Sequence, residues 1–308
     1  MLYACYGFVI MMDLHIITWN INGLHNSRQS GARKLLLRQD LHRYVVGEID
    51  VLFVQEHKLS LADTQSCGQL LPGHSRTFWE PATGVMSRNG GVAISVGPRW
   101  LSCVRDHGTL VAGRCIWVSM QIDDHLLDLL CVYAPTEARL RAVFWQEIVD
   151  VLPPMDSWIV GGDFNNLESP LDYRADIPPH LPEIAPVEID AWDSFLFFLR
   201  VTDAWHEQSF MHSDGSLHFS WGFRRQAGRL LERLDRFYIG DWASSIGGSM
   251  MIWPGTALSD HAPVSIRLIA QRPIAPRRGC RIPDAVLSSA TLHSELQHIW
   301  RISSHSPP

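Results

Sequence analysis

The sequence predicts an α+β fold in which two β-sheets pack face to face with helices on the outside. Three observations predict it. Apolar runs of strand length recur along the chain, and helical periodicity is confined to a few segments. Hydrophobic residues make up 46% of the 308 positions against 19% charged, which supports a large buried core and excludes a disordered chain. Many short strands with few helices are best buried as sheet on sheet, with helices covering the outer faces.

The elements follow in order. The apolar start, residues 1–12, is stopped by Asp13. It is too short to span a bilayer and has no basic leader or small-residue cleavage site, so it is expected to be an extension from an upstream start codon. Leu14 to Trp19 reads as a buried strand that opens a domain over residues 13–270. A helix is expected over residues 35–46. Strand cores are expected at 51–54, 92–96, 116–120, 126–133, 158–160, 234–239 and 264–268. Leu140, Val143, Phe144, Ile148, Val151 and Leu152 fall at helical spacing, with Thr136 placed to cap and Pro153-Pro154 to stop. Trp192, Phe195, Leu196 and Leu199 predict a further helix after Asp190. From Gln271 the chain turns to prolines and arginines without periodicity, a linker pattern. A short helix near residues 292–300 and a disordered end from Ser303 complete the expected tail, 271–308.

Composition excludes several chemistries. Only Lys34 and Lys58 are lysines, and neither follows a glycine, so there is no phosphate-binding Gly-Lys-Ser/Thr loop. No two of the 22 glycines are spaced G-x-G, which removes dinucleotide and kinase glycine loops. The six cysteines are scattered without C-x-x-C, a pattern of reduced thiols rather than a disulfide framework or zinc site. The net charge of −6 argues against a nonspecific polyanion binder. Nearly all basic residues are arginine, which codon bias explains at least as well as phosphate binding.

The informative feature lies where the strands end. Each apolar run closes in a polar cluster: Trp19-Asn20-Ile21-Asn22-Gly23, Gln55-Glu56-His57-Lys58, Tyr133-Ala134-Pro135, Gly161-Gly162-Asp163-Phe164-Asn165, Arg233-Leu234-Asp235 and Ser259-Asp260-His261-Ala262-Pro263-Val264. Singly, each is ordinary turn chemistry, since Asp and Asn satisfy local backbone groups. His57 and Lys58 are read as structural. Strand ends on one side of a sandwich are neighbours, so together the clusters could form one site of carboxylates, amides and an imidazole.

In this order the clusters resemble the endonuclease/exonuclease/phosphatase superfamily, over residues 15–268. The strongest motifs are Gln55-Glu56, Gly162-Asp163-Phe164-Asn165 and Ser259-Asp260-His261-Ala262-Pro263. The resemblance implies a DNase I-like four-layered α/β sandwich and hydrolysis of a phosphodiester with Mg²⁺, for which Mn²⁺ can substitute. It assigns metal binding to Glu56, Asn22 and Asp260. Asn20 lies near that metal, and many repair relatives carry Asp where this chain has Asn22. His261 is expected at the scissile phosphate, paired with Asp235. Asp163 is expected to orient or deprotonate water, Asn165 to donate to the developing oxyanion and Tyr133 to a phosphate oxygen. His261 and Asp163 both remain candidates for the base. Ser259 is expected to orient neighbouring groups at the substrate.

For a nucleic-acid surface, Arg224, Arg225, Arg229, Arg233 and Arg236 cluster just after Phe219-Ser220-Trp221. Basic residues beside aromatics suit a backbone-tracking surface, so Ser220, Trp221, Arg224 and Arg225 are expected at the substrate. The competing reading is a hairpin with core aromatics and solvated arginines. Arg139 and Arg141 offer weaker phosphate contacts. The subclass resembled most is the endonuclease domain of LINE-type (non-LTR) retrotransposons, and the tail from Arg281 is similar to the connector that precedes a reverse transcriptase in such polyproteins. The expected partner is duplex DNA, nicked to leave a 3′-hydroxyl, with no membrane and a nuclear location if the DNA is chromosomal. An abasic-site repair endonuclease is the first alternative, a catalytically dead DNA-binding remnant the second and a phosphatase or lipid phosphodiesterase the third.

Overall fold

The structure is a computed structural model and describes residues 9–24, 49–83, 90–153, 157–175, 186–213, 216–225, 228–255 and 259–273. By its contacts the chain divides into residues 12–270 and a second unit of residues 1–11 with 271–308; the architecture below belongs to the first.

Strand β1 (Val9–Asn20) pairs in parallel with β2 (Val51–Gln55), and Asn20 stands opposite Gln55. Helix α1 (Leu61–Cys67) begins in a reciprocal capping box between Ser60 and Asp63. Strands β3 (Arg76–Glu80) and β4 (Val92–Val96) continue that sheet. Strands β5 (Val104–Val111), β6 (Cys115–Ile122) and β7 (His125–Tyr133) form an antiparallel meander. Helix α2 (Ala138–Val151) crosses back, so β8 (Trp158–Asp163) lies parallel to β7. The chain then makes β9 (Tyr173–Ala175), α3 (Pro186–Leu199), β10 (Val201–Asp203) and β11 (Phe210–His212). It continues through the hairpin β12 (Trp221–Arg225) and β13 (Gly228–Glu232), then β14 (Asp235–Gly240) and α4 (Asp241–Ile246). Strands β15 (Gly248–Ile252) and β16 (Val264–Pro273) close the fold.

One mixed sheet has the order β11-β15-β16-β1-β2-β4-β3 and the other β10-β14-β8-β7-β6-β5, with a small third sheet β12-β13-β9. The expected α+β sandwich is therefore the observed one. Its central core lies between the two large sheets, where Ile16, Phe53 and Ile94 meet Leu129, Ile159 and Phe237. A second apolar layer, Trp145, Trp158, Trp192 and Phe195, packs α2 and α3 onto the outer face of the β14-β8-β7 sheet. A third, with Trp19, Leu52 and Leu71, covers the outer face of the other. Gly161 permits the close inter-sheet packing: a Cβ there would stand 2.5 Å from the Phe237 ring and 2.8 Å from Phe53.

The sequence reading needs correction at several points. Helix α2 turns a different face inward: Leu140, Val143 and Val151 are exposed, whereas Ala142, Phe144, Trp145 and Ile148 are buried. The large Trp145 ring sets this orientation, lying 4.7 Å from Trp192 and 5.0 Å from Phe195 between centroids. Its N-cap is Glu137, not Thr136; Thr136 lends its carbonyl to Arg141 at 2.6 Å. Helix α3 begins four residues before Asp190, at Pro186, whose missing N–H costs nothing in a first turn. Strands β3, β5, β9 to β13 and β15 were not expected; they are short, or sit at sheet edges where apolar residues are sparse. The helices expected at 35–46 and 292–300 lie outside the described residues.

The largest correction concerns arginine. Arg233 and Arg236 are 2% and 0% exposed and belong to the core, not to a basic surface. Arg233 donates to Asp172 and Asp203 at 2.7 Å each. Arg236 donates to the Asn166 side chain at 2.8 Å and its carbonyl at 2.6 Å, and lies 3.5 Å from Asp172. Arg141 is likewise buried, paired with Glu188. A buried guanidinium is tolerated only where carboxylates and carbonyls replace its water.

Removing one member of such a pair strands the other charge, a loss of about 3–5 kcal/mol. Arg233→Met is therefore expected to lower the urea midpoint by an amount corresponding to that loss, while Arg200→Met, at a side chain 80% exposed, leaves it nearly unchanged. Equal midpoints for the two variants would contradict the buried network.

Candidate active site

Strand geometry assembles the site. Side chains two residues apart share a face. On β1, Ile16 and Leu14 face the core between the sheets, so Thr18 and Asn20 follow on that face. The same parity runs through Val51, Phe53 and Gln55, through Leu129, Cys131 and Tyr133, through Ile159, Gly161 and Asp163, and back along β14 from Phe237 to Asp235. At one end each series changes from apolar to polar. An intermediate layer forms first, in which Gln55 donates to Thr18 Oγ1 at 3.0 Å and to Cys131 Sγ at 3.2 Å. The next layer is the site. Strand register aligns Tyr133 with Asp163 and Asp163 with Asp235, placing three functional groups in one row.

A continuous chain of polar contacts runs through it. Asp235 Oδ2 lies 2.8 Å from His261 Nδ1, and His261 Nε2 lies 4.0 Å from Asp163 Oδ2. Asn20 Nδ2 donates to Asp163 at 2.9 Å and to Glu56 Oε1 at 3.0 Å. Glu56 Oε2 receives Lys58 Nζ at 2.9 Å, and Lys58 Nζ reaches Asn22 Oδ1 at 2.5 Å. Asn22 Nδ2 donates to Asp260 at 3.1 Å, whose other oxygen accepts from Trp221 Nε1 at 3.0 Å. Tyr133 donates its hydroxyl to Glu56. Asn165 accompanies Asp163: its N–H donates to Asp163 Oδ1 at 3.0 Å and its amide to the Ala134 carbonyl at 2.8 Å, which leaves a second amide hydrogen to offer. Asn22, Glu56, Lys58 and Asn165 all have left-handed backbones, with φ between 47° and 56°. Backbone strain of this kind collects at functional sites.

Burial sets the charges. For His261, burial opposes the imidazolium, but the charge and hydrogen bond of Asp235, aided by Asp163 and Asp260, carry its pKa up to about 10. Burial and the neighbouring Asp235 charge push Asp163 upward. Burial disfavours the Glu56 carboxylate too, but donors from Asn20, Lys58 and Tyr133 win and hold its pKa below the usual value. For Asp260, burial is likewise outweighed, by His261 and Trp221. Burial holds Tyr133 protonated, with the Glu56 and Asp163 charges adding. His57 takes no part: buried, with Nε2 on the Glu80 and Val92 carbonyls, it is pushed down to about 4 and stays neutral.

Two arrangements here could hold a cation. Glu56, Asn22 and Asp260 offer oxygen donors linked by hydrogen bonds, and the positive Lys58 side chain already rests among them. Asp163, Asp235 and His261 each place one ligand atom within 4.8 Å of the others. The His261–Asp235 hydrogen bond suits the second group better to holding a proton.

The remaining expected residues divide. The Ser259 hydroxyl donates to the Asn20 carbonyl at 2.6 Å and accepts from His261 N–H at 3.1 Å. Ser220 is buried, and its hydroxyl accepts from Leu234 and Asp235 N–H at 3.1 and 2.8 Å. Both hydroxyls are committed to the fold, so they position Asn20, His261 and Asp235. Trp221 forms an isolated bridge with His261, so the β12–β13 hairpin starts at the site. Arg224 and Arg225 lie on β12, Arg224 opposite Arg229. Sequence reasoning missed two residues. Arg114 lies at the turn before β6, donates to the Tyr133 carbonyl at 3.2 Å, and sits 5.0 Å over its ring. Nothing adjacent in sequence marks it. Lys58 was read as structural and is a member of the site.

The family model for endonuclease/exonuclease/phosphatase proteins matches residues 17–261, which contain every one of these groups. The chain belongs to the endonuclease/exonuclease/phosphatase family. A transposon TX1 protein of 149 kDa from Xenopus laevis is 24% identical over 293 residues, 94% of this chain but 21% of that protein. The chain thus spans about a fifth of the length of that curated relative. The AP endonuclease LMAP from Leishmania major superposes with a TM-score of 0.67 at 18% identity, covering 85% of this chain and 88% of that one. The catalytic domain of Xenopus laevis APE2 gives 0.61 at 16%, covering 85% and 94%. The 3′ phosphatase NExo from Neisseria, bound to a product DNA hairpin, gives 0.57 at 21%, covering 83% and 99%. These similarities establish the fold.

The raised His261 pKa has a readable consequence. In wild type the His261 ring signals in NMR are expected to titrate near pH 10. In Asp235→Asn they should move down by at least about one unit, since the chief attraction is removed and burial remains. The pair's stabilisation is present in full below the free value of 6.5 and is lost as pH rises through about 10. An unmoved titration in the variant would contradict the assigned pair.

Proposed function

We propose that the chain is a divalent-metal-dependent endonuclease that nicks duplex DNA and leaves a 3′-hydroxyl, of the kind that serves target-primed retrotransposition. The observation that carries this reading is the unbroken polar chain from Asp235 through His261, Asp163 and Asn20 to Glu56, which joins a proton-holding pair to a carboxylate. The homology to a transposon protein supports the retroelement branch.

Water attacks phosphorus, the bond to O3′ breaks, and the products are a 5′-phosphate and a 3′-hydroxyl. Asp163 is the base: burial and the Asp235 charge raise its proton affinity, against His261 and Asn20. His261 is held as an imidazolium at neutral pH by Asp235 on Nδ1, which leaves Nε2, 4.0 Å from Asp163 Oδ2, as the nitrogen that would meet a phosphate. It stabilises the phosphoryl oxygens and supplies a proton. Asn165 offers its second amide hydrogen to a phosphoryl oxygen. Arg114, over Tyr133, adds a positive charge at the same rim. Glu56, Asn22 and Asp260 would hold a divalent cation, Mg²⁺ or Mn²⁺ in its place, which when bound would offset charge on the phosphate and the leaving oxygen.

The small sheet supplies the DNA surface. Its register places positions 174, 224 and 229 on one face, together with Gly222. Three arginine positions on one face of a ribbon that begins beside His261 suit a phosphate backbone passing the site. The acidic total of the chain is thereby compatible with a local polyanion surface.

Supercoiled plasmid incubated with Mg²⁺ should be nicked by wild type and not in EDTA. His261→Ala should lose about 10²–10⁴ of the rate, and Glu56→Ala should need much more Mg²⁺. Absence of metal-dependent nicking by wild type would overturn the proposal. Strong preference for a duplex with one abasic analogue over the intact duplex would assign the chain to repair instead.

A further inference from the structure

Lys58 is one of two lysines in the chain and stands apart from the reaction just described. Its side chain is only 22% exposed and ends between Glu56 Oε2, at 2.9 Å, and Asn22 Oδ1, at 2.5 Å. Its backbone is fixed as well: Lys58 N–H donates to the Gly90 carbonyl at 3.1 Å and His57 N–H to the Gly91 carbonyl at 3.1 Å. The left-handed φ values of Asn22, Glu56 and Lys58 bring the three side chains to one point. A solvated surface lysine needs none of this.

We propose that Lys58 is a tethered cation that competes with the divalent metal for the Glu56–Asn22 pocket. The inference rests on the reading of Glu56 and Asn22 as metal-holding residues. The Glu56 carboxylate, only 18% exposed, favours a positive charge beside it, and the ammonium, which the Asn22 amide oxygen also accepts from, supplies one without metal. A dication entering the pocket must displace that ammonium or bind against its repulsion. Lys58 therefore keeps the metal-free site assembled and weakens metal binding. Its unbranched stem allows the ammonium to swing out when metal enters and return when it leaves.

The test needs no DNA. Mn²⁺ binding, followed by electron paramagnetic resonance, is compared among wild type, Lys58→Met, Lys58→Gln and Glu56→Gln, with melting temperatures of each with and without Mn²⁺. Both Lys58 variants are expected to bind Mn²⁺ about tenfold more tightly than wild type, since a like charge a few ångströms away is gone. They should melt lower without metal and gain more from it. Equal or weaker binding by both neutral variants would overturn the proposal. Tight Mn²⁺ binding by Glu56→Gln would instead remove the assignment of Glu56 and leave the lysine with nothing to compete for. If wild type and the Lys58 variants all fail to bind Mn²⁺, the metal reading and this inference fall together. Wild-type binding of Mn²⁺ without plasmid nicking would remove the proposed nuclease activity alone.

Discussion

The site depends on one buried amide. Asn20 has no exposed surface, and its Nδ2 divides two hydrogens between the Glu56 and Asp163 carboxylates. Its Oδ1 accepts from Asn22 N–H at 3.0 Å, and its carbonyl accepts from Ser259. Each neighbour has its own part in the proposed reaction: Glu56 and Asn22 toward a metal, Asp163 toward water; Ser259 accepts from His261 N–H. Two carboxylates buried this close would repel each other without a donor between them. A neutral side chain with two N–H groups meets that need, and a carboxylate at this position would make it worse.

The same economy of charge recurs on the other side of β14. Asp235 points toward the site and Arg236, its neighbour, away from it, as strand alternation requires. On the far face Arg233 and Arg236 balance Asp172 and Asp203. The loop between Asp163 and Asp172 is thus held at both ends. Asn165 is fixed to Asp163, Asn166 to Arg236, and the N–H groups of Glu168 and Ser169 to Asp172. For the Asn165 amide, in the role proposed for it, such anchoring matters because a shift of an ångström is enough to lose a useful hydrogen bond.

How much of this could be read in advance depended on range. Polar residues at strand ends were legible because alternation is local: Ile159, Gly161 and Asp163 face one way whatever else the chain does. Which strand ends would meet followed from the sandwich. The fate of the arginines was not legible. Arg224 and Arg236 read alike in sequence, yet Arg236 is buried because of Asn166 and Asp172, 70 and 64 positions away. Arg141 is withdrawn from any phosphate by Glu188, 47 positions on. Lys58 reads as structural in sequence, because nothing local shows the left-handed turn at Glu56 that accompanies its return to the carboxylate. The helix faces failed for a related reason: periodicity counts apolar letters, whereas the packing of α2 is decided by where one tryptophan fits.

The most direct test of the account is therefore Asn20→Asp, which keeps size and shape, keeps an oxygen for Asn22 N–H, and replaces the donor with a third carboxylate. Metal-dependent nicking should fall by at least about a hundredfold with the far-ultraviolet circular dichroism unchanged. Nicking by Asn20→Asp at the wild-type rate would show that the amide between Glu56 and Asp163 is not what holds the site together.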